Sequence, residues 1–501
     1  MSDVALTSLA LISQGVLFGR IPEPAESVSP SGSLLSEVAR GLEAQGVASC
    51  QWKGHWSAHR WATGNADVNL LVDHAAMAKF RQLMEQLGFK QGLPPGVRQI
   101  PGVESYVGYD PSVPRLLHLH VQYRLLLGDY WKPVYRLPVE RAILDAAVPG
   151  DPFRVPAPTH KFFIFVLRMM VRQLGRPLLS AQSRWLAGIQ PPLASLEAAS
   201  DQEELASFLE QHLPSLDVSF FMRCARSLRG ESGIVERVLL PWLLARRLRA
   251  YARRPPFTAL MTAAAEKLLP QEITDAIVER RMRLSGGGAV VALIGGDGAG
   301  KSTCARELDA WLSPVFPTMR APFGNRPRSL LTLAVGGALR LQLLVARRLN
   351  RRLASGHTLE LVRHVCTARD RHRRYVKAHR FAASGAIAIC EQYPIEENRL
   401  LLGPVISSLL PTQPSPLGRR LMAMEAWYYE RILRPEAICV LRLDPELAVL
   451  RKPERLEDGV RARSGAVWQA DWSASDAHII DASQSLPEVM RDLKSLLWRI
   501  L

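Results

Sequence analysis

Residues 291–312 read VALIGGDGAGKSTCARELDAWL, and no other stretch restricts the fold as tightly. An apolar strand ends at Ile294, a glycine-rich turn follows, and an amphipathic helix begins near Lys301. Gly295, Gly300, Lys301 and Ser302 fit the pattern G-x-x-x-x-G-K-[ST], and Gly296, Asp297, Gly298, Ala299 and Thr303 fill out the run. Glycines in such a turn let successive N–H groups point inward around a phosphate chain without Cβ clashes. The helix N-terminus adds partial positive charge. A lysine at 301 can reach β- and γ-phosphates, and the Ser302 hydroxyl can ligate Mg²⁺. A dinucleotide site is disfavoured, because the glycines at 296, 298 and 300 do not complete G-x-G-x-x-G: position 301 is lysine.

A strand–turn–helix unit of this kind needs a sheet around it. From residue 289 onward strands alternate with helices, the signature of a parallel sheet covered on both faces. The strands are VVALIG, GAIAICE (385–391), AICVLRLD (437–444) and AHIIDA (477–482). Long helical segments are expected at 328–353 and 357–383, and SLPEVMRDLKSLLWRIL reads as a final amphipathic helix. Sites in such folds lie at the carboxyl ends of the strands. Glu391 ends one of them, where a carboxylate can hold Mg²⁺ through water or take a proton from an acceptor; an ordinary strand-end acid is the other reading. ARDRHRRYVKAHR carries Arg369, Arg371, Arg373 and Arg374, whose planar forks suit phosphate. Most of them are expected to be solvated, with one or two clamping an acceptor. RKPERLEDGVRARSG (451–465) combines Lys452, Arg455, Arg461 and Arg463 with a proline and glycines, a composition that suits a mobile lid over a transferring phosphoryl group.

At these residues the sequence resembles the thymidylate kinase family of nucleoside monophosphate kinases. IGGDGAGKST is similar to that family's acidic P-loop. TARDRHR resembles its A-x-D-R segment, which implies that Arg371 binds the acceptor phosphate. GAIAICEQYP resembles the strand ending in Asp-Arg-Tyr, PEAICVLRLDPELAVLRK the strand and helix leading into the lid, and HIIDAS the last strand and the loop near the adenine. The likeness covers roughly residues 289–501. It implies ATP and Mg²⁺ as cofactors, with Lys301 and the loop amides on the phosphates, Ser302 and Glu391 managing the metal, Asp297 near the acceptor's sugar, and Arg455, Arg461 and Arg463 stabilising the transferring group. Two departures stand out. Asp-Arg-Tyr has become Glu391-Gln392-Tyr393, and the family's acceptor loop after the second strand reads RAPFGNRP (320–327).

Upstream, residues 1–158 mix short strands and helices, and 159–284 are almost wholly helical, with Pro191–Pro192 and Pro255–Pro256 expected to break helices. SGGG (285–288) reads as a hinge before the P-loop domain of 285–501. WKGHWSAHRWATGNADVNLLVD (52–73) resembles the polymerase-β type of nucleotidyltransferase, with Gly54-His55 and then Asp67-Val68-Asn69 at the right spacing. His55 stands in place of a serine, Asn69 in place of the second aspartate, and His118 and His120 where a third carboxylate is sought. Imidazole is a poor Mg²⁺ ligand and Asn69 is neutral, so a degenerate domain that binds without catalysing is expected; an ordinary strand with one exposed aspartate is the other reading.

The formal charge of +16 suits phosphorylated substrates, nucleic acid or an anionic membrane, and an arginine-rich solvated surface explains it equally well. Arg246, Arg247, Arg249, Arg253 and Arg254, and separately Arg347, Arg348, Arg351 and Arg352, form basic stripes on apolar helices. A solvated face is the preferred reading and peripheral membrane contact the alternative; without interleaved aromatics nucleic acid is disfavoured. Six well-separated cysteines with no CxxC read as reduced thiols of a cytoplasmic protein. No signal peptide is evident. SLLTLAVGGALRLQLL comes nearest to a membrane span, but Arg340 interrupts it. The expectation is thus an α/β chain whose C-terminal domain is a P-loop kinase, preceded by a helical connector and an α+β nucleotidyltransferase-like domain. It would phosphorylate a nucleoside monophosphate or related phosphorylated small molecule, with a homodimer also expected. The rivals are an ATP-binding regulator or scaffold without turnover, and a kinase of a non-nucleotide acceptor in surface polysaccharide synthesis.

Overall fold

The structure, a computed structural model, describes residues 33–54, 67–94, 99–113, 115–128, 135–174, 181–253, 281–324, 329–348, 358–395, 402–410, 413–454, 456–473 and 475–501, with backbone alone for 181–187. The chain is mixed α/β and groups into two compact units that interleave along the sequence. One comprises residues 1–58, 68–83 and 120–277; the other comprises 59–67, 84–119 and 278–501.

In the first unit β1 (Ser49–Lys53) pairs antiparallel with β2 (Val68–Val72), and the register shifts between Gln51 and Lys53 so that Lys53 faces Asn69. Its centre is helix Pro158–Gln173. Proline opens that helix where its missing N–H costs nothing. Phe162 and Phe163 then reach Phe221 and Phe208, with ring centroids 5.5 and 5.0 Å apart, both edge to face. Helices Ala181–Ala198, Gln202–His212, Val218–Arg229 and Ile234–Arg247 pack around it. Pro191 and Pro192 do not break the chain as expected: they lie inside helix Ala181–Ala198. The lost ladder bonds are offset by Ile189 and Leu193, which bury on either side of the pair. Pro255–Pro256 fall outside the described residues.

The second unit contains β3 (Lys90–Leu93) antiparallel to β4 (Val103–Gly108). β5 (Leu117–Gln122) follows; β6 (Leu125–Leu127) and β7 (Tyr135–Leu137) pair antiparallel within the first unit, and the short β8 (Arg283–Leu284) of the second unit adds to β3. The SGGG segment is a fixed turn, not a hinge. Ser285 N–H donates to Gln91 O and Gly288 N–H to Ala382 O, and a Cβ on Gly288 would lie 1.7 Å from Ala386 O.

Beyond it lies a five-stranded, all-parallel sheet of β9 (Ala289–Gly295), β10 (Thr318–Pro322), β11 (Ile387–Glu391), β12 (Ala437–Arg442) and β13 (Ala477–Asp481), in the order β10-β11-β9-β12-β13. Sequence patterning named four of these strands. β10, TMRAP, is a half-exposed edge strand that ends in proline and lacks the apolar run of the others. β9 is buried on both faces. Val291 and Leu293 meet Cys304 and Leu308 of helix Lys301–Leu312, while Val290, Ala292 and Ile294 meet Tyr375, Ala378 and Ala382 of helix Thr358–Ala383. From β9 the chain runs out to edge strand β10, returns to β11, then crosses to β12. The reversal leaves a crevice at the carboxyl end of β9, where open α/β sheets bind ligands.

Candidate functional site

The register sets Glu391 of β11 beside Leu293 of β9, and Leu441 of β12 beside Gly295. The glycine turn therefore starts between two strand ends, and each glycine has a reason. A Cβ on Gly295 would meet Leu441 O at 2.9 Å, and one on Gly296 would meet Ser464 Oγ at 2.5 Å. Gly298 and Gly300 have φ of 79° and 84°, the left-handed region that favours glycine. This alternation is the geometry in which amide N–H groups converge on an anion. Ala299 is buried against the core, and the helix starts at Lys301 as expected. Thr303 is half-buried beside it. Lys301 Nζ folds back to donate to Gly296 O at 2.5 Å, which holds its charge over the turn.

Ser302 and Glu391 come together: the Ser302 hydroxyl donates to Glu391 Oε2. Arg320, in the middle of β10, donates to Glu391 Oε1 at 3.2 Å. Sequence patterning missed this arginine because it missed the strand. A hydroxyl and a carboxylate side by side are hard oxygen donors of the kind Mg²⁺ takes, and they adjoin the glycine turn at the start of the helix. The residues present thus fit a Mg²⁺–triphosphate. Gln392 follows with φ 63°, the one positive φ among the described non-glycine residues, and its Nε2 donates to Gly295 O at 2.8 Å. The departure from Asp-Arg-Tyr is therefore built into the floor of the glycine turn.

Helix Thr358–Ala383 carries the arginine segment along the same crevice. Asp370 is buried; its Oδ2 accepts from Ser329 N–H at 3.3 Å and from the Thr332 hydroxyl at 2.7 Å. Arg371 Nη1 donates to Leu402 O at 3.0 Å and to the Tyr429 hydroxyl at 2.5 Å. Arg374 Nη1 donates to Pro322 O, and burial holds its pKa below the ordinary value. Arg373 is exposed. Behind Arg371, Glu425 accepts N–H bonds from Val405 and Ile406 at 3.1 and 2.9 Å. Burial raises its pKa above the usual carboxyl value, while those two N–H bonds and the Arg371 charge pull the other way.

The expected lid is helical through Glu457–Gln469. Arg463 Nε and Nη2 reach Asp297 Oδ2 at 2.9 and 2.7 Å, so these two expected site residues do meet. Arg461 instead grips Glu446 through Nε to Oε1 at 2.7 Å and Nη2 to Oε2 at 3.0 Å. Arg455 falls outside the described residues.

Of the upstream constellation, Asp67 Oδ1 and His118 Nδ1 lie 2.8 Å apart, and His55 is outside the described residues. Asn69 is buried on β2 opposite Lys53. Among the described residues no group of three or more His, Cys, Asp or Glu side chains is placed to hold a metal ion.

No family model matches the sequence, and no curated protein matches it.

Proposed function

We propose that the chain is an ATP- and Mg²⁺-dependent phosphotransferase acting on a phosphorylated small molecule. One observation carries the reading: a glycine turn with two left-handed residues opens into Lys301 and Ser302, and Ser302 touches Glu391 from the neighbouring strand. Lys301 and the loop amides would hold the triphosphate, and Ser302 with Glu391 would hold the metal, which supplies charge neutralisation on the phosphates. Arg371 and Arg374, side by side on helix Thr358–Ala383, would orient an anionic acceptor. The likeness to thymidylate kinases supports a nucleoside monophosphate as that acceptor.

A second reading, an ATP-binding regulator without turnover, draws support from the engaged state of the charged groups. Asp297 is paired with Arg463, Arg461 with Glu446, and Gln392 is tied into Gly295. ADP formation and product masses across a panel of nucleoside monophosphates and sugar phosphates separate the two. ATP binding with no product from any acceptor favours the regulator; no ATP binding removes both.

A further inference from the structure

Helix Leu330–Arg348, LLTLAVGGALRLQLLVARR, presents a surface that the phosphotransferase reading leaves unused. Only Leu339 and Ala346 are buried, and Thr332, Val335, Gly336 and Gln342 share their half-buried face, which packs on helix Thr358–Ala383. On the opposite face Leu330, Leu333, Gly337, Leu341, Leu344 and Arg348 follow one another at i, i+3, i+7, i+11, i+14 and i+18. Leu330, Leu341 and Leu344 are 87, 64 and 58% exposed. Arg340 and Arg347 line one border of this stripe, and the helix has no acidic residue. Sequence patterning discounted the segment on account of Arg340, yet among the described residues it is the one helix long and apolar enough to cross a membrane.

We infer that this helix lies flat on an anionic lipid surface. An outward leucine stripe bordered by arginines is the design of an interfacial helix, whose guanidinium groups stay with the headgroups while the leucines enter the acyl boundary. A second copy is a poorer occupant, because it would set arginines against arginines with no acid on the helix to pair them. Spanning is opposed by the tether of Ser329 and Thr332 to buried Asp370, which fixes the helix start in the fold, and by Arg340 at mid-helix. Because Arg371 follows Asp370, docking also sets the proposed acceptor side of the site close to the headgroups.

The test is co-sedimentation of the full chain with vesicles of phosphatidylglycerol and phosphatidylcholine, against phosphatidylcholine alone. Binding to the anionic vesicles only is expected, released by high salt or alkaline carbonate. Leu341→Glu with Leu344→Glu should abolish it. Arg347→Glu with Arg348→Glu, which leaves the leucines intact, should weaken it at least about tenfold. Both variants should keep the wild-type melting temperature, since all four side chains are exposed. Absence of binding, equal binding to neutral vesicles, or resistance to carbonate would overturn the inference. So would a concentration-dependent dimer that the leucine variant dissolves.

Discussion

Arg463 holds Asp297 through two bonds to one carboxylate oxygen, Nε at 2.9 Å and Nη2 at 2.7 Å, across 166 residues of chain. The contact clamps helix Glu457–Gln469 onto the glycine turn, which Ser464 also touches through its hydroxyl bond to Asp297 O. Both side chains are partly solvated, so the pair stabilises only modestly. A double-mutant cycle of Arg463→Ala and Asp297→Asn in denaturant unfolding should give a coupling of about 0.5–1 kcal/mol. A coupling indistinguishable from zero would mean the clamp does not persist in solution.

Lys301→Ala should abolish turnover and weaken ATP binding by ~1.5–3 kcal/mol, the loss of one charge-assisted phosphate contact. Titration calorimetry measures the second quantity directly. Unchanged affinity would remove the phosphate-binding role of the turn.

Arg371→Ala should raise the acceptor KM or lower kcat with ATP affinity nearly intact. Tyr429→Phe removes one partner of Arg371 and keeps the guanidinium, so it should have a smaller effect on the same constants. If the alanine variant lost ATP affinity and kept its acceptor kinetics, the assignment of Arg371 would be wrong.

How much of this was legible in the sequence depended on how local each feature is. The glycine turn is contiguous, so the start of its helix and its place after a strand could be read directly. Glu391 was legible as a strand end, because GAIAIC is buried on both faces and keeps an unbroken apolar run. Arg320 was not, since an edge strand ending in Pro322 carries no alternation to mark it. Glu425 and Tyr429 come to Arg371 from more than fifty residues downstream, and nothing in the spacing of helix Pro416–Glu430 says which face meets which partner. The SGGG turn misled for a different reason: glycine composition suggests freedom, whereas Gly288 is there because Ala386 O leaves no room for a side chain.

Gln392 shows how backbone and side chain are joined at the turn. A β-branched residue at its left-handed φ of 63° is strained, and Gln392→Val also deletes the amide bond to Gly295 O. Chemical denaturation should show a loss of about 2 kcal/mol for valine and less than about 1 kcal/mol for glycine, which relieves the backbone as it loses the bond. Equal losses would place the cost in the bond alone.

Glu425 gives a pH dependence of definite sign. Folding raises its pKa above 4.5, so the native state keeps a proton that the unfolded chain releases. Its contribution is full below the ordinary carboxyl range and is lost as pH rises through the raised native value. Glu425→Gln keeps an accepting oxygen and removes the titration. From about pH 4.5 to about pH 8 the variant's denaturation midpoint should gain on the wild type; a constant difference between the two curves would contradict the assignment.

All six cysteines are buried, and none is paired. Cys50 and Cys224 belong to one compact unit; Cys304, Cys366, Cys390 and Cys439 belong to the other. Burial pushes the thiols of Cys50, Cys224 and Cys439 up to about 12, so the native chain offers an alkylating reagent almost no thiolate. Each thiol becomes reactive only when its surroundings open. The chain thus carries its own set of clocks, and the order in which the six tryptic cysteine peptides gain mass would record which unit loosens first.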